Sequence, residues 1–447
     1  MNGLAWLKRI WVALLLTALG GWGAYHLFAK EVITIQGEEF TQLLGMSWVD
    51  ELRPWLLVLA CFLPAIQAWI HSFSDLPDRF VGRRFLMMFA GIGVALFVLW
   101  VMLDFQNRAS EFGENASFQT IGAYYLTTSS MFTVKILPYC VLLASIITFS
   151  ELSKHKEIIS LIQSGRSLIR LSRNVMLSVS LVSLYVLILN FHWAPVSEMK
   201  AQRFLEKASQ NQAGELREQS IQVFNVEGSR MWFFESVEKD KHVFQRVSIT
   251  QFGANEEPNY RWNAQLARWD ESRGWTLEDV KHFRVDEFSE VPVTSDKKLT
   301  FDWQETPQQL VIPELDPSKM GISHLEKWLS IHEGGRPEQT AVYATQFFQR
   351  FASAVLILIY AIIAIPLGSY FDRRSSSQAI LMALLVLLIV ECSSPFMLAL
   401  GESNRVLPAV SAWSVNLLLA LSVVWLWIKN VQGLTVREWL QYRFAKN

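Results

Sequence analysis

Eight stretches of this chain stay apolar for long enough to dictate what it can fold into: Ile10–Phe28, Pro54–Ile70, Phe85–Leu103, Ile136–Phe149, Val175–Trp193, Phe351–Leu367, Ala379–Leu400 and Ala409–Ile428. A helix crossing the hydrocarbon layer needs roughly 17–25 such residues, and most of these stretches supply them. Ile136–Phe149 is short, and Ser129–Lys135 extends it toward the interface. Pro54–Ile70 carries Pro64 and Gln67 and is the weakest of the eight. In lipid every backbone N–H and C=O must be satisfied within its own segment, so such runs become helices. With 51% hydrophobic residues in 447, the chain reads as a polytopic α-helical membrane protein. Its net charge of −1 is an average over opposite loops and gives no reason to expect nucleic acid as a partner.

Basic residues orient the spans. With a cytoplasmic amino terminus and eight crossings, the inner segments hold Lys8 and Arg9; Arg79, Arg83 and Arg84; Lys154, Lys156, Arg166, Arg170 and Arg173; Arg373 and Arg374; and Lys429, Arg437, Arg443 and Lys446. The short outer loops hold Lys30, Arg53, Arg108 and Arg405. This asymmetry is the positive-inside pattern. The first run, about 19 residues long, exceeds the 7–15 of a signal core and lacks a small-x-small cleavage site, so it reads as a retained span. Cys61, Cys140 and Cys392 all fall inside apolar runs and form neither a disulfide framework nor a metal site.

Between Pro195 and Thr340 the chain is polar and changes period. Ile221–Asn225, Arg230–Val237, His242–Phe252, Tyr260–Asp270 and Gly274–Val285 alternate in the manner of strands. Turn signals separate them at Glu227-Gly228, Lys239-Asp240, Gly253 and Ser272-Arg273-Gly274. Short strands at this spacing make a sandwich, jelly roll or open barrel on the outer face, and Ile322–His332 reads as a helix returning to the membrane. Gly-x-Ser-x-Gly, His-Glu-x-x-His and clustered metal ligands are missing, so no catalytic residue and no metal site is assigned. The phosphate-cradling Gly-x-x-x-x-Gly-Lys-Ser/Thr is missing too, so the energy for any work against a gradient must arrive from another subunit or from an ion.

Residues 150–166 form a short charged helix between two spans, with Leu152, Ile158, Ile159, Leu161 and Ile162 at helical spacing and Gly165 at its stop. Two readings fit: an input surface for a partner, or a helix lying on lipid headgroups. Ionisable residues within apolar runs are costly and therefore informative. Asp104 ends the third run, Lys135 begins the fourth, Arg350 precedes the sixth and Glu391 lies inside the seventh. The first three sit near span ends, where long side chains snorkel to water; Glu391 is deeper.

From Asp78 onward the order of parts resembles the permease family of the lipopolysaccharide-export ATP-binding-cassette transporter, the LptF/LptG type. Asp78-Arg79-Phe80-Val81-Gly82-Arg83-Arg84-Phe85 is similar to the family's opening Asp-Arg-Tyr signature, with Phe80 in place of Tyr. Leu137-Pro138, the apolar run after it and Ser150–Gly165 resemble the second family span and its coupling helix, with Glu157 and Ser164-Gly165 at matching places. Trp193-Ala194-Pro195 with Met199-Lys200-Ala201, and Leu407-Pro408 with Ala412-Trp413-Ser414-Val415-Asn416, resemble the exit to the outer domain and the opening of the last span.

The resemblance implies four parts: an extra amino-terminal hairpin (1–77), a first half of three spans (78–194), a periplasmic jellyroll-like domain (195–345), and a second half of three spans with a short tail (346–447). It implies a permease subunit of the bacterial inner membrane that is not itself an enzyme and binds no cofactor. The implied partners are a second permease subunit, paralogue or self, a cytoplasmic ATPase dimer that uses the ATP, a periplasmic jellyroll bridge, membrane lipid, and lipopolysaccharide as cargo. Leu152, Glu157, Ile158, Leu161, Ile162, Gly165 and Arg166 would couple to the ATPase. Phe89, Phe97, Asp104, Lys135, Glu391 and Phe396 would line the substrate path, entered between Phe85–Leu103 and Ala379–Leu400. The alternative is a membrane-anchored sensor or scaffold whose β domain binds a partner without transport. The extra hairpin is either padding against lipid or a seat for an added subunit.

Overall fold

The computed structural model describes residues 3–37, 48–109, 112, 118–201, 221–225, 230–234, 236–238, 243–253, 258–270, 274–286, 289–303, 316–332, 337–369 and 376–431. All eight apolar runs become helices long and apolar enough to cross a bilayer. An amino-terminal hairpin of α1 (Gly3–Gly37) and α2 (Trp48–Phe73) precedes α3 (Leu76–Arg108) and α4 (Phe118–Lys154). The short α5 (Glu157–Gln163) leads into α6 (Leu168–Phe191), and residues 193–201 continue helically beyond it. After the β-rich insert come α7 (Ile322–Ile331), α8 (Pro337–Gly368), α9 (Ser376–Glu402) and α10 (Pro408–Val431). Arg373, Arg374, the turns expected at Glu227-Gly228, Lys239-Asp240 and Ser272-Arg273, and the tail beyond Val431 lie outside the described residues.

The hub of the helical part is α8, with 67% of its apolar window buried, whereas that of α3 is 0% buried. Ile357, Ala361 and Ile365 of α8 join Val141, Ala144 and Phe149 of α4 and Val175, Val179 and Val186 of α6 in one core. A second core joins α8 to α9 and α10 through Tyr360, Ile363, Ala383, Val390, Val415 and Leu419. Pro366 inside α8 has no amide to offer the carbonyl one turn back. That carbonyl, on Ile362, accepts from the Trp427 indole of α10 at 3.3 Å. A neighbouring helix thus repairs the bond that the proline removes.

Among the described residues the insert is a β domain: seven strands in one antiparallel sheet, in the order β1-β2-β4-β5-β6-β7 with β3 beside β4. Its strands are β1 (Ile221–Asn225), β2 (Arg230–Phe234), β3 (Ser236–Glu238), β4 (Val243–Phe252), β5 (Pro258–Asp270), β6 (Gly274–Asp286) and β7 (Ser289–Phe301). The connectivity is a meander, and the roll arises because the sheet curls on itself. Trp232 of β2 lies 4.8 Å from Trp275 of β6 although β4 and β5 separate them in the sheet. Arg246 (φ 49°) and Asp279 (φ 59°) fall in gaps of the pairing ladder and bend the strands that carry them. The aromatic interior of Trp232, Phe234, Phe244, Trp262 and Trp275 fills the curl. β7 was not anticipated from the sequence: Asp296, Lys297 and Lys298 interrupt its alternation, and Val291 and Val293 point outward.

The contacts define two ends. At the basic end, the Ser74 hydroxyl donates to Asn174 Oδ1 (3.4 Å) and the Ser153 hydroxyl to the Gly368 carbonyl (3.2 Å). These gather the end of α2, the starts of α3 and α6, the end of α4 and the end of α8. At the β-domain end, α1, α2, the end of α6 and α7 converge.

Candidate functional site

Two residues with positive φ shape the basic end. Lys156 (φ 60°) stops α4 and lets the chain restart as α5. The sequence suggested one helix over 150–166; in the structure Ser150–Lys154 is the last turn of α4, and α5 is a seven-residue segment. Gly165 (φ 85°) closes α5, its amide donating to the Ile162 carbonyl at 2.9 Å. An L side chain there would be strained by roughly 1–2 kcal/mol. Ser167 then caps α6 by accepting from the Arg170 amide.

The apolar stripe faces inward, contrary to its expected role as a partner surface. Leu152 and Ile158 are fully buried, and Leu161 and Ile162 pack on the same core, which includes Val81, Phe85, Leu168 and Leu171. A short helix cannot hold its position through its own hydrogen bonds, so its apolar face is needed to anchor it to the bundle. What remains exposed is Lys154, His155, Lys156, Ser160, Gln163, Ser164 and Gly165. Glu157 is not free for a partner either: Arg84 of α3 meets it at 2.7 Å and lies over the Phe80 ring at 5.2 Å.

Around Asp78, at the start of α3, a second set of charges closes on this helix. Asp78 is fully buried and takes Arg166 on Oδ1 (3.1 Å) and Arg173 on Oδ2 (2.8 Å), while Arg166 also reaches Asp75 (3.5 Å). The Asn174 amide donates to the Asp78 carbonyl at 3.1 Å. Gly82 makes this possible, since a Cβ there would overlap the Asn174 side chain. The α5 turn is therefore tied to the first residues of α3 by three arginine–carboxylate contacts and a packed core. Arg166 had been expected to couple to the ATPase; in the structure it binds Asp78 and Asp75. Arg84, Asp78 and Arg173 were not given roles, although the run Asp78–Arg84 had been singled out.

The residues expected along the substrate path divide into two groups. Phe97 on α3 and Phe396 on α9 are 39% and 64% exposed on outward faces. Lys135 is exposed and sits near the middle of α4, not at its end, because α4 begins at Phe118. One turn along the same face, the Tyr139 hydroxyl donates to exposed Glu391 of α9. Phe89 and Asp104 are turned elsewhere. Phe89 packs into the interior beside Phe85 (ring centroids 5.9 Å), and Asp104 pairs with Arg108 in its own helix (3.1 Å) and accepts from Tyr124 (3.5 Å). Arg350 is taken up structurally, donating to the carbonyls of Ser318 and Met320 (3.3 Å to the latter). Since α3 packs on α4 and α6, and α9 on α4, α8 and α10, the two open faces stand on either side of α4. No group of three or more His, Cys, Asp or Glu side chains that could hold a metal occurs among the described residues.

The model of the family "Lipopolysaccharide export system permease LptF/LptG" matches residues 79–429. This chain belongs to the LptF/LptG family. No curated protein matches it. As a family member it is a lipopolysaccharide-export permease subunit with multiple membrane spans and an inserted β domain.

The match leaves the hairpin of this LptF/LptG protein outside, and its attachment is the part that sequence reasoning missed. Arg53 of α2 is fully buried; its Nη2 lies 2.8 Å from Glu31 Oε1 of α1 and donates to His192 Nε2 at 2.8 Å. Asp50 lies 3.7 Å from Arg53 and accepts from Lys327 of α7 at 2.9 Å. Trp48 donates to Glu326 beside them. Arg53 had been read only as an outer-loop charge, and nothing local in the sequence links positions 31, 50, 53, 192 and 327.

Proposed function

We propose that this LptF/LptG protein is half of an ATP-driven exporter that extracts lipopolysaccharide, or a related glycolipid, from the inner membrane. A cytoplasmic ATPase dimer binds at the basic end, and a second permease subunit, a paralogue or another copy, completes the cavity. The β domain lies in the periplasm and hands the cargo to a periplasmic β bridge.

The observation that carries this reading is the set of arginine–carboxylate contacts between α5 and the start of α3. A helix clamped to α3 through Arg84–Glu157 and Arg166–Asp78 delivers any push from below to α3. The ATPase then meets the polar face, Lys154, His155, Lys156 and Gln163, while the Leu/Ile stripe transmits within the permease. An ionised side chain at the bilayer centre costs roughly 2.5–3.5 kcal/mol on insertion scales, so exposed Lys135 and Glu391 are better served by a water-lined cavity than by lipid. That cavity opens sideways between α3 of one permease and α9 of the other, past Phe97 and Phe396.

A charge swap tests the coupling. Glu157→Lys and Arg84→Glu should each lower transport-coupled ATP turnover about tenfold, equivalent to ~1.4 kcal/mol, and the double variant should recover most of it. A double variant as impaired as Glu157→Lys alone would show that Glu157 serves the ATPase, and the route through α3 would fall. For the substrate path, a photo-crosslinking residue at Phe97 or Phe396 should capture lipopolysaccharide, whereas one at Leu181 should not.

A further inference from the structure

His192 sits where the added hairpin, α6 and α7 meet, and its ring is built into the joint on both sides. It lies just past the end of α6 and is 4% exposed. On one side Arg53 of α2 donates to its Nε2 at 2.8 Å. On the other stands Gly321, the N-cap residue of α7, where a Cβ would come within 3.1 Å of Nδ1. A guanidinium carries donors and no acceptor, so the contact with Arg53 exists only while Nε2 has no proton.

The charges around the ring act in the same direction. Glu31 and Asp50 balance Arg53 and Lys327, so the cluster is neutral as long as His192 is neutral. A proton on His192 adds a positive charge that faces Arg53 and the amino-terminal, positive end of α7. Among the described residues, the other titratable groups nearby are engaged elsewhere. Glu326 accepts from Trp48, and Glu198, on the helical continuation of α6, acts electrostatically on Arg350 of α8. His324 of α7 meets His192 edge to face, with ring centroids 5.9 Å apart, and so brings a second imidazole rather than a counter-ion.

We propose that His192 is a proton switch for the hairpin: neutral, it holds α2 to the end of α6 and the start of α7; protonated, it lets them part. Histidine is the side chain whose charge changes in the physiological pH range. Once the joint opens, the released imidazole titrates near the ordinary value of about 6.5. The hold is therefore complete above about pH 7 and is lost progressively as the pH falls below about 6.5. Glu31 and Asp50 act in the same sense only near about pH 4, where carboxylates titrate. The element set free is α7, which leads from the β domain into the hub helix α8. The switch depends on these contacts and on neither the cargo nor ATP turnover.

The test is amide hydrogen exchange of the full chain in nanodiscs, corrected for the intrinsic pH dependence of exchange. From about pH 7.5 to about pH 5.5, one proton on a group that titrates near 6.5 raises the opening equilibrium about tenfold. Protection of peptides covering 49–56 and 322–331 should fall by that factor, while 357–365 in the core of α8 stays unchanged. His192→Gln keeps an oxygen that accepts from Arg53 and has no proton to gain, so it should abolish the step. His324→Gln should preserve it. A wild type without the step, or a step that survives His192→Gln, overturns the switch. Loss of the step in His324→Gln would move it to the neighbouring ring and equally refute the proposal. If His192→Gln does not fold, exchange of the His192 ring C2 hydrogen in the wild type, read by mass spectrometry, decides. Ring protonation that tracks the loss of amide protection supports the switch, and protonation at a different pH refutes it.

Discussion

Two clusters of charge sit at opposite ends of the helical bundle and differ in how far water reaches them. In the Arg53 cluster the side chains of Arg53 and Asp50 are 0% and 1% exposed, and Glu31 and Lys327 only 11% and 10%. In the Asp78 cluster the carboxylate is 0% exposed, but Arg166 and Arg173 are 23% and 54% exposed. Breaking a desolvated pair leaves a buried charge without compensation, whereas a half-solvated arginine regains water when it lets go. The first cluster therefore behaves as a rivet and the second as a latch. Under the proposed function a latch stands where the ATPase would deliver its input; a rivet is what an added hairpin needs in order to stay attached.

Arg53→Met should break that contrast most severely. It strands Glu31 in a dry site and leaves Asp50 with Lys327 alone, at a cost of about 3–5 kcal/mol, and the purified chain should melt well below the wild type. A variant with unchanged melting would mean that the hairpin is held by apolar contacts alone. Asp78→Asn comes next. It removes charge-assisted bonds of about 1.5–3 kcal/mol, yet leaves both arginines partly in water. Melting should fall modestly while coupled ATP turnover per folded molecule drops sharply; unaltered turnover would remove the latch from the cycle. Gly165→Ala sharpens the comparison from a smaller effect. The φ of 85° should make alanine cost about 1–2 kcal/mol, confined to the α5 turn. Hydrogen exchange should quicken at Ile162–Arg166 and stay unchanged at Asp50–Arg53, and a global change would show that the two ends communicate.

What the sequence disclosed followed from periodicity and from local motifs. The eight spans, the strand-rich insert, the helix at Ile322 and the role of Gly165 each depend on residues within a few turns of one another. The run Asp78–Arg84 stood out for the same reason. What stayed hidden depended on long-range placement. An amphipathic stripe shows that one face of α5 is covered, but not whether its own bundle or a partner covers it, and here the bundle does. Lys135 looked terminal because the apolar run starts only at Ile136, whereas the hydroxyls of Thr127, Thr128, Ser129 and Thr133 bond back to their own helix, which continues past Lys135 to Phe118. Strand β7 was missed because its solvent face carries the charges that protect an edge strand. No spacing rule could have paired Arg53 with His192.

The rivet also sets an order of assembly during synthesis. Glu31 and Arg53 leave the ribosome close together and can neutralise each other within the newly inserted hairpin. Asp50 must wait for Lys327, 277 residues later, by which time the whole β domain has been made. Until α7 folds back, the end of α2 that carries Asp50 keeps one carboxylate without its ammonium partner. Closure of the amino-terminal helices is thus deferred until the β domain has been made, so a truncated or stalled chain carries an open seam between α2 and the place that α7 would take.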